Sequence, residues 1–178
     1  MLIATWNVNS VRTRLSQIVD WINQVNPDVL CLQETKVIDD DFPIKPFEEL
    51  GYKVIVFGQK AYNGVAIISK IETKNVNKGF IGELGDQYSI EKFSDQKRLI
   101  SADINGIKII NVYVPNGSSI NSDKFFYKIN WLNSLASFIE DQEKKGDLIC
   151  LLGDFNIAPS ENDIHDPKKY DGEIMASE

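Results

Sequence analysis

One apolar run late in the chain constrains the fold more than any other feature. Leu148–Gly153 contains nothing polar except the thiol of Cys150, which favours a strand that is buried on both faces. Asp154 and Asn156 follow it, and residues i and i+2 of an extended segment point to the same side. A carboxylate beside a carboxamide at the end of a buried strand suits a metal-assisted phosphoryl site, although the same pair could simply form a turn.

Three other apolar runs also end in polar side chains, which suggests a shared rim at one edge of a sheet. The polar residues are Asn7 and Asn9 after Leu2–Thr5, Glu34 and Lys36 after Val29–Leu32, and Tyr113 and Asn116 at the end of Ile107–Val114. Any one set could be a simple strand terminator. The recurrence of four such sets favours a functional site. Amides and a phenol are unusual choices for simple strand ends, because lysine or serine would make the surface more soluble.

Phosphodiester cleavage accounts for these residue types. Glu34 can bind Mg²⁺ as a hard oxygen ligand, and Asn7 can hydrogen bond to Glu34 without adding negative charge beside an anionic substrate. Asp154 can accept a proton from an attacking water, and Asn156 can orient that water or the phosphate. Tyr113 can donate a hydrogen bond to the phosphoryl oxygens as charge shifts in the transition state.

The order of predicted elements indicates a mixed α/β fold. The first strand, a helix that starts after Ser10 and stops at Asn26-Pro27, and the second strand form a βαβ unit with parallel strands. Two hairpins follow: Tyr52–Phe57 with Val65–Ile71, and Arg98–Ile104 with Ile107–Val114 across the turn Asn105-Gly106. Residues 72–96 predict loops with one or two short strands.

A long helix over Asn121–Lys145 precedes the Leu148–Gly153 strand. Its core stripe is predicted at Phe125, Ile129, Leu132, Ala136 and Ile139. A layered α/β sandwich fits this order better than a pure doubly wound sheet, which would not tolerate so central a hairpin.

Composition narrows the cofactor and the partners. The length of 178 residues predicts one domain, 1–178. The net charge of -7 argues against a general nucleic-acid-binding surface but does not exclude a nuclease. One histidine, His165, and two cysteines inside apolar runs leave oxygen ligands, hence Mg²⁺ or Mn²⁺. The absence of a signal peptide and of a ~20-residue apolar span predicts a soluble, cytoplasmic protein with no membrane partner.

Four segments resemble the motifs of the exonuclease III family of DNA repair nucleases and apurinic/apyrimidinic endonucleases, within the endonuclease/exonuclease/phosphatase superfamily. They are Trp6-Asn7-Val8-Asn9-Ser10-Val11-Arg12, Leu32-Gln33-Glu34-Thr35-Lys36, Asn111-Val112-Tyr113-Val114-Pro115-Asn116-Gly117 and Leu152-Gly153-Asp154-Phe155-Asn156-Ile157-Ala158-Pro159. The resemblance implies a four-layer αββα sandwich and a Mg²⁺-dependent nuclease that acts on double-stranded DNA at abasic sites or 3′ ends. It also implies a monomer when the protein is full length.

The resemblance also implies roles for single residues. Glu34 is then the principal metal ligand with Asn7 beside it, Tyr113 contacts the phosphate, and Asp154 with Asn156 handles the nucleophile and lines the metal site. Arg12, Lys36 and Asn116 would line the DNA path. Arg14 and Arg98 are weaker candidates, because a surface or loop charge explains each equally well.

The chain departs from the family pattern after Glu178. The family continues with a further active-site aspartate and a Ser-Asp-His motif, so this chain matches roughly the N-terminal two-thirds of the family domain and the sandwich is expected to be incomplete at its C-terminus. Three interpretations therefore stay open: a DNA repair nuclease, an incomplete fragment that only binds metal or DNA weakly, and a superfamily phosphatase. Because several catalytic groups are absent, we expect this chain to have little activity unless another segment completes it.

Overall fold

The computed structural model describes residues 1–80, 93 and 95–166, and its strands form two four-stranded sheets. The first sheet has the order β1 (Ile3–Asn7), β2 (Val29–Gln33), β4 (Val65–Ser69) and β3 (Lys53–Phe57). The second has the order β5 (Thr73–Lys78), β6 (Leu99–Ile104), β7 (Ile107–Tyr113) and β8 (Leu148–Asp154). Strands β1 and β2 pair in parallel, as do β7 and β8, and the other neighbours are antiparallel.

Three α-helices accompany the sheets in the described ranges: α1 (Val11–Val25), α2 (Lys45–Glu49) and α3 (Asp123–Lys144). Two single 3₁₀ turns lie at Asp39–Asp41 and Glu161–Asp163. None of the described helices is long and apolar enough to cross a membrane. Strand β5 falls in the predicted loop region 72–96, of which residues 81–92 and 94 lie outside the described residues.

The alternation of side chains along the strands produces four layers. On the first sheet, Leu30 and Leu32 pack toward α1, whereas Val29 and Cys31 face the second sheet. On the second sheet, Val112 packs with buried residues of α3. The inter-sheet core combines residues of both sheets: Val29, Cys31, Val65 and Ile67 from the first, and Ile100, Ala102, Ile104 and Ile109 from the second. The predicted αββα sandwich is confirmed.

Local sequence signals placed the first helix and the central hairpin correctly. Ser10 caps α1 by accepting a hydrogen bond from the Thr13 N–H, and Asn26 ends it in the left-handed conformation. Asn105 and Gly106 both have positive φ, 52° and 77°, as a type I′ hairpin turn requires. The predicted βαβ unit and both hairpins are confirmed.

The predicted core stripe of the long helix is correct only in part, because Leu132 and Ile139 pack against the core but Ile129 and Ala136 do not. Ile129 is 39% exposed and Ala136 is also exposed, whereas Trp131, Leu135 and Phe138 are buried against the second sheet. The helix carries apolar residues on several sides, so its sequence alone does not decide which side packs. The aromatic ring of Phe80, 5.2 Å from that of Trp131, is part of what selects the observed side.

The prediction that the Leu148–Gly153 strand is buried on both faces is also wrong. Leu148 is 65% exposed, and the rest of β8 is only half-buried. The reason is position, because β8 lies at the edge of its sheet and pairs with β7 alone among the described strands. Its Cys150 and Leu152 still pack against the inter-sheet core.

Candidate active site

The ends of the two parallel strand pairs bring the predicted polar residues to one rim between the sheets. Asn7 ends β1, and Glu34 directly follows β2. Tyr113 and Asp154 end β7 and β8 and are register partners. Asn7, Tyr113 and Asp154 lie on the strand faces that point toward the other sheet, as the inter-sheet core residues do. They therefore extend the inter-sheet layer to its edge.

Asn7 is one of the residues that join the two sheets at this rim. Its side-chain nitrogen donates to Glu34 Oε1 at 2.9 Å and to Asp154 Oδ2 at 2.7 Å. Its side-chain oxygen accepts a hydrogen bond from the Asn9 N–H at 3.1 Å. One carboxamide therefore bridges a carboxylate of the first sheet and a carboxylate of the second.

The backbone around Glu34 is held in an unusual conformation. Glu34 and Lys36 have φ of 54° and 56°, in the left-handed region that costs L-residues roughly 1–2 kcal/mol each. Hydrogen bonds from Ser10 N to Glu34 O at 2.7 Å and from Lys36 N to Asn63 O at 2.9 Å hold the segment in place. Gly64 is needed beside it, because a Cβ there would lie 2.2 Å from the Thr35 hydroxyl.

Glu34 is ionised and surrounded by donors. Its Oε2 forms an ion pair with Lys36 Nζ at 2.9 Å, and Lys36 also hydrogen bonds to the Asn9 side chain. Burial by itself raises the pKa of Glu34. Hydrogen bonds from Asn7, Lys36 and Tyr113 and the charge of Lys36 lower the pKa by more than burial raises it, so the net pKa lies below the ordinary 4.5.

Tyr113 is a protonated phenol held by an arginine. Burial, followed by the charge of Glu34, raises the pKa of Tyr113 to about 12, although the charge of Arg98 opposes this. The Arg98 guanidinium lies 4.5 Å from the centre of the Tyr113 ring and donates to the Tyr113 carbonyl at 3.1 Å. At neutral pH the phenol is therefore a hydrogen-bond donor.

The turn after β8 fixes the orientation of Asp154. Its Oδ1 accepts a hydrogen bond from the Asn156 N–H at 3.0 Å. Asn156, with φ of 49°, directs its side-chain nitrogen to the Val114 carbonyl at 2.9 Å. Gly153 precedes Asp154 with φ of 138°, and a Cβ there would lie only 2.0 Å from the Val112 carbonyl oxygen. Only glycine permits β8 to approach β7 this closely.

A buried lysine supports the same turn. Lys128 on α3 is 3% exposed, and its Nζ donates to the Asn156 carbonyl at 2.7 Å. Burial lowers the pKa of Lys128, with the charge of Asp154 acting in the opposite direction. Lys128 was not among the predicted site residues, because it lies on the packing side of α3, three residues before Trp131, and the sequence alone does not identify that side.

A cavity of about 560 Å³ lies beside the rim on the side of Asn116. Arg98, Asn116, Lys124 and Tyr127 are among its lining residues. The side-chain nitrogen of Asn116 is 3.4 Å from Asn156 Oδ1, so this loop is continuous with the Asp154 turn.

The structure thus brings together most of the predicted site residues. Asn7, Glu34, Lys36, Tyr113, Asp154, Asn156 and Asn116 form one connected set of contacts. Arg12 does not belong to that set within the described residues, and it is exposed in the first turn of α1. The predicted ligand and catalytic roles of these residues stay predictions.

The donor set fits a hard cation. Two carboxylates, Glu34 and Asp154, converge on one point with amide groups around them, which suits Mg²⁺ or Mn²⁺. The described residues contain no cluster of three His, Cys, Asp or Glu side chains that could hold a metal, so amide oxygens or water would have to complete the coordination. Asn7 presents its nitrogen to the carboxylates, and its oxygen would face a cation only after the amide turns over.

Comparison with known proteins relates the chain to nucleases. A family model described as the endonuclease/exonuclease/phosphatase family matches residues 4–175. The exodeoxyribonuclease III of Haemophilus influenzae is 37% identical over 169 residues, which cover 92% of this chain and 60% of the relative.

Two solved structures share the fold. A Neisseria 3′ phosphatase, NExo, bound to a product DNA hairpin has a TM-score of 0.87 and 39% identity, and the match covers 98% of this chain and 65% of that one. An AP endonuclease from Archaeoglobus fulgidus has a TM-score of 0.83 and 42% identity, with coverage of 96% and 63%. The chain spans between 45% and 63% of the length of the curated relatives it matches. By sequence and by fold, the chain belongs to the endonuclease/exonuclease/phosphatase family.

Proposed function

We propose that this chain carries the metal and phosphate half of a Mg²⁺-dependent DNA repair nuclease that hydrolyses phosphodiester bonds at abasic sites or 3′ ends. The observation that carries the proposal is the bridge from Asn7 to both Glu34 and Asp154, because it brings two carboxylates from different sheets to one point. The names of the relatives, exodeoxyribonuclease III and AP endonuclease, support DNA as the substrate.

The cation would be held by the carboxylates of Glu34 and Asp154, with the amide oxygens of Asn7 and Asn156 as further candidates. When bound, Mg²⁺ supplies charge neutralisation at the phosphate and stabilises the leaving oxygen. Lys36, which lies 2.9 Å from Glu34, limits the negative charge that an approaching phosphate would meet.

The protein groups have separate tasks around the phosphate. Asp154 accepts the proton of the attacking water, and its two hydrogen bonds, from Asn7 and Asn156, keep the carboxylate in one orientation. The protonated phenol of Tyr113 donates to a phosphoryl oxygen as negative charge develops there. Asn116, Lys36 and Arg12 would contact the flanking phosphates, which fix the register of the DNA without reading its sequence.

A cleavage assay tests the proposal. Duplex DNA with one abasic site is incubated with the chain in Mg²⁺ or in EDTA, and the wild type is compared with Glu34→Gln. Glu48→Gln is the matched control, because Glu48 is an exposed glutamate in α2. We expect weak incision, in line with the low activity predicted for this chain, that requires Mg²⁺, drops by about 10²-fold or more in Glu34→Gln and is unchanged in Glu48→Gln.

The other outcomes separate the alternatives. Incision that Glu34→Gln leaves intact would contradict the proposed site. Hydrolysis of inositol phosphates without cleavage of DNA would favour a superfamily phosphatase. Mg²⁺-dependent binding of abasic DNA without incision would favour an incomplete fragment.

A further inference from the structure

Two buried carboxamides form a polar contact inside the otherwise apolar layer between the sheets. Gln33 on β2 is 1% exposed and Asn111 on β7 is 0% exposed. The Gln33 side-chain nitrogen donates to the Asn111 side-chain oxygen at 2.7 Å. This bond connects the first sheet directly to the second.

The remaining hydrogen-bonding capacity of Asn111 is also used in the first sheet. Its side-chain nitrogen donates to the Leu32 carbonyl at 3.0 Å and to the Ala66 carbonyl at 2.9 Å. Leu32 and Ala66 are register partners in β2 and β4. One side chain from the second sheet therefore binds two adjacent strands of the first.

Gln33 extends the network to the edge strand. Its side-chain nitrogen also lies 2.9 Å from the Thr5 hydroxyl and 3.2 Å from the Cys31 carbonyl. The amide pair thus ties β1, β2 and β4 to β7. Burying such groups is costly unless they are hydrogen-bonded; both amide atoms of Asn111 are bonded, and the Gln33 nitrogen has three acceptors within 3.2 Å.

The network lies directly beneath the candidate active site. Thr5 and Asn111 are two residues before Asn7 and Tyr113 on the same faces of their strands, and Gln33 immediately precedes Glu34. Apolar contacts between sheets are non-directional, whereas hydrogen bonds fix both distance and angle. The amide pair is therefore the feature that can set the separation of the sheets where the site needs it.

We propose that Gln33 and Asn111 are positioning residues, which hold the two sheets at the separation that lets Asn7 bridge Glu34 and Asp154. Neither residue touches the substrate. The consequence for cation binding rests on the proposed function, but the consequence for the bridge itself does not.

The bridge can be measured without metal or substrate. A double-mutant cycle of Asn7→Ala and Asp154→Ala, read by urea unfolding in EDTA, gives the coupling between these two residues. In the wild type we expect a coupling of about tenfold in the unfolding equilibrium, as for a hydrogen bond to a charged group. The cycle is repeated in a Gln33→Met/Asn111→Leu background, which removes both amides together and avoids leaving one of them unpaired.

The expected result is that this coupling falls below about twofold in the double variant, while the variant still unfolds cooperatively. Asn111→Ala provides the same cycle if the double variant does not fold, because the Gln33 nitrogen keeps the Thr5 hydroxyl and the Cys31 carbonyl as acceptors. Ser69→Ala is the matched control, because Ser69 is equally buried but lies at the opposite end of β4, paired with Val29. It should lower stability and leave the coupling unchanged.

A second measurement uses Mn²⁺ alone as the probe, followed by water-proton relaxation. The double variant should bind Mn²⁺ about 10-fold or more weakly than the wild type, and Ser69→Ala should bind it normally. A wild type that binds no Mn²⁺ would count against the proposed function and leave the unfolding cycle as the test of the positioning role. Full Asn7–Asp154 coupling in a folded variant that lacks the amide pair would overturn the inference.

Discussion

Replacement of Asn7 by aspartate tests the bridge between Glu34 and Asp154 most directly, because it converts the bridging amide into a third carboxylate without changing its size. In the wild type, the Asn7 nitrogen donates to Glu34 at 2.9 Å and to Asp154 at 2.7 Å. In Asn7→Asp an oxygen would face both acceptors at about 3 Å and could donate to neither unless it were protonated.

The size of the effect follows from these distances. At an effective dielectric constant of ~40, two unit charges ~3 Å apart repel by about 3 kcal/mol. Two such contacts favour the uptake of one proton by the three carboxyls, which relieves part of the repulsion. We therefore expect Asn7→Asp to lower the free energy of unfolding by about 3 kcal/mol near pH 7.

The pH dependence has a definite sign. Crowding of the carboxyls raises a shared pKa in the folded variant above its unfolded value, so the folded state binds more protons than the unfolded state. Stability of Asn7→Asp should then decrease as the pH rises from about 4 to about 7. Mg²⁺ should recover a large part of the loss, because a cation neutralises the added charge.

Urea unfolding followed by tryptophan fluorescence measures this loss in EDTA and in Mg²⁺. Asn9→Asp is the matched control: it adds the same charge two residues away, where the Asn9 side chain contacts Lys36. The control should change stability by less than about 0.5 kcal/mol. The reasoning is refuted if Asn7→Asp is as stable as Asn9→Asp at neutral pH, or if its loss of stability does not grow as the pH rises.

Three further predictions concern the core and a buried ion pair. Trp131→Ala should cost about 3–5 kcal/mol in urea unfolding, whereas Ile129→Ala, at a position that is 39% exposed, should cost less than about 1 kcal/mol; equal costs would contradict the observed stripe of α3. Burial, then the neighbouring Cys150, raises the pKa of the Cys31 thiol, so a disulfide reagent should modify Cys31 only at the rate of unfolding, and rapid labelling in Cys150→Ser would contradict this. Lys108 is 7% exposed and contacts Asp103 and Asp147. Burial lowers its pKa, but the hydrogen bonds and charges of the two aspartates outweigh burial and raise the pKa above the ordinary 10.5. Its contribution is complete below that pH and is lost as the pH rises through the folded pKa, so the stability gap between the wild type and Lys108→Met should narrow in strongly alkaline buffer; a constant gap would show that Lys108 contributes no charge effect.

Local signals explain why much of the fold could be predicted from the sequence. Ser10, Asn26 and the Asn105-Gly106 turn each impose a backbone conformation on their immediate neighbours, so they report on structure without knowledge of the rest of the chain. The packing side of α3 and the exposure of β8 could not be predicted in this way. Both depend on partners distant in sequence, such as Phe80 for α3 and the edge position for β8.

The site shows the same division between local and distant information. That Glu34 and Asp154 would lie at strand ends followed from the apolar runs before them. That Asn7 would bridge them depends on the relative position of two sheets, which no local pattern encodes. Gln33 was missed for a related reason, since a polar residue at the end of a strand normally marks exposure, and only its partner Asn111 explains its burial.

Neither sheet contains the candidate active site alone, because the first supplies Asn7 and Glu34 and the second supplies Tyr113 and Asp154. The turns that present these groups adopt left-handed backbone at Glu34, a conformation that costs free energy. Contacts that exist only after the sheets have packed, above all the Asn7–Asp154 bond, offset part of that cost. Formation of the site and docking of the two sheets should therefore be one cooperative event, in which a variant that loosens the rim also loosens the interface between the sheets.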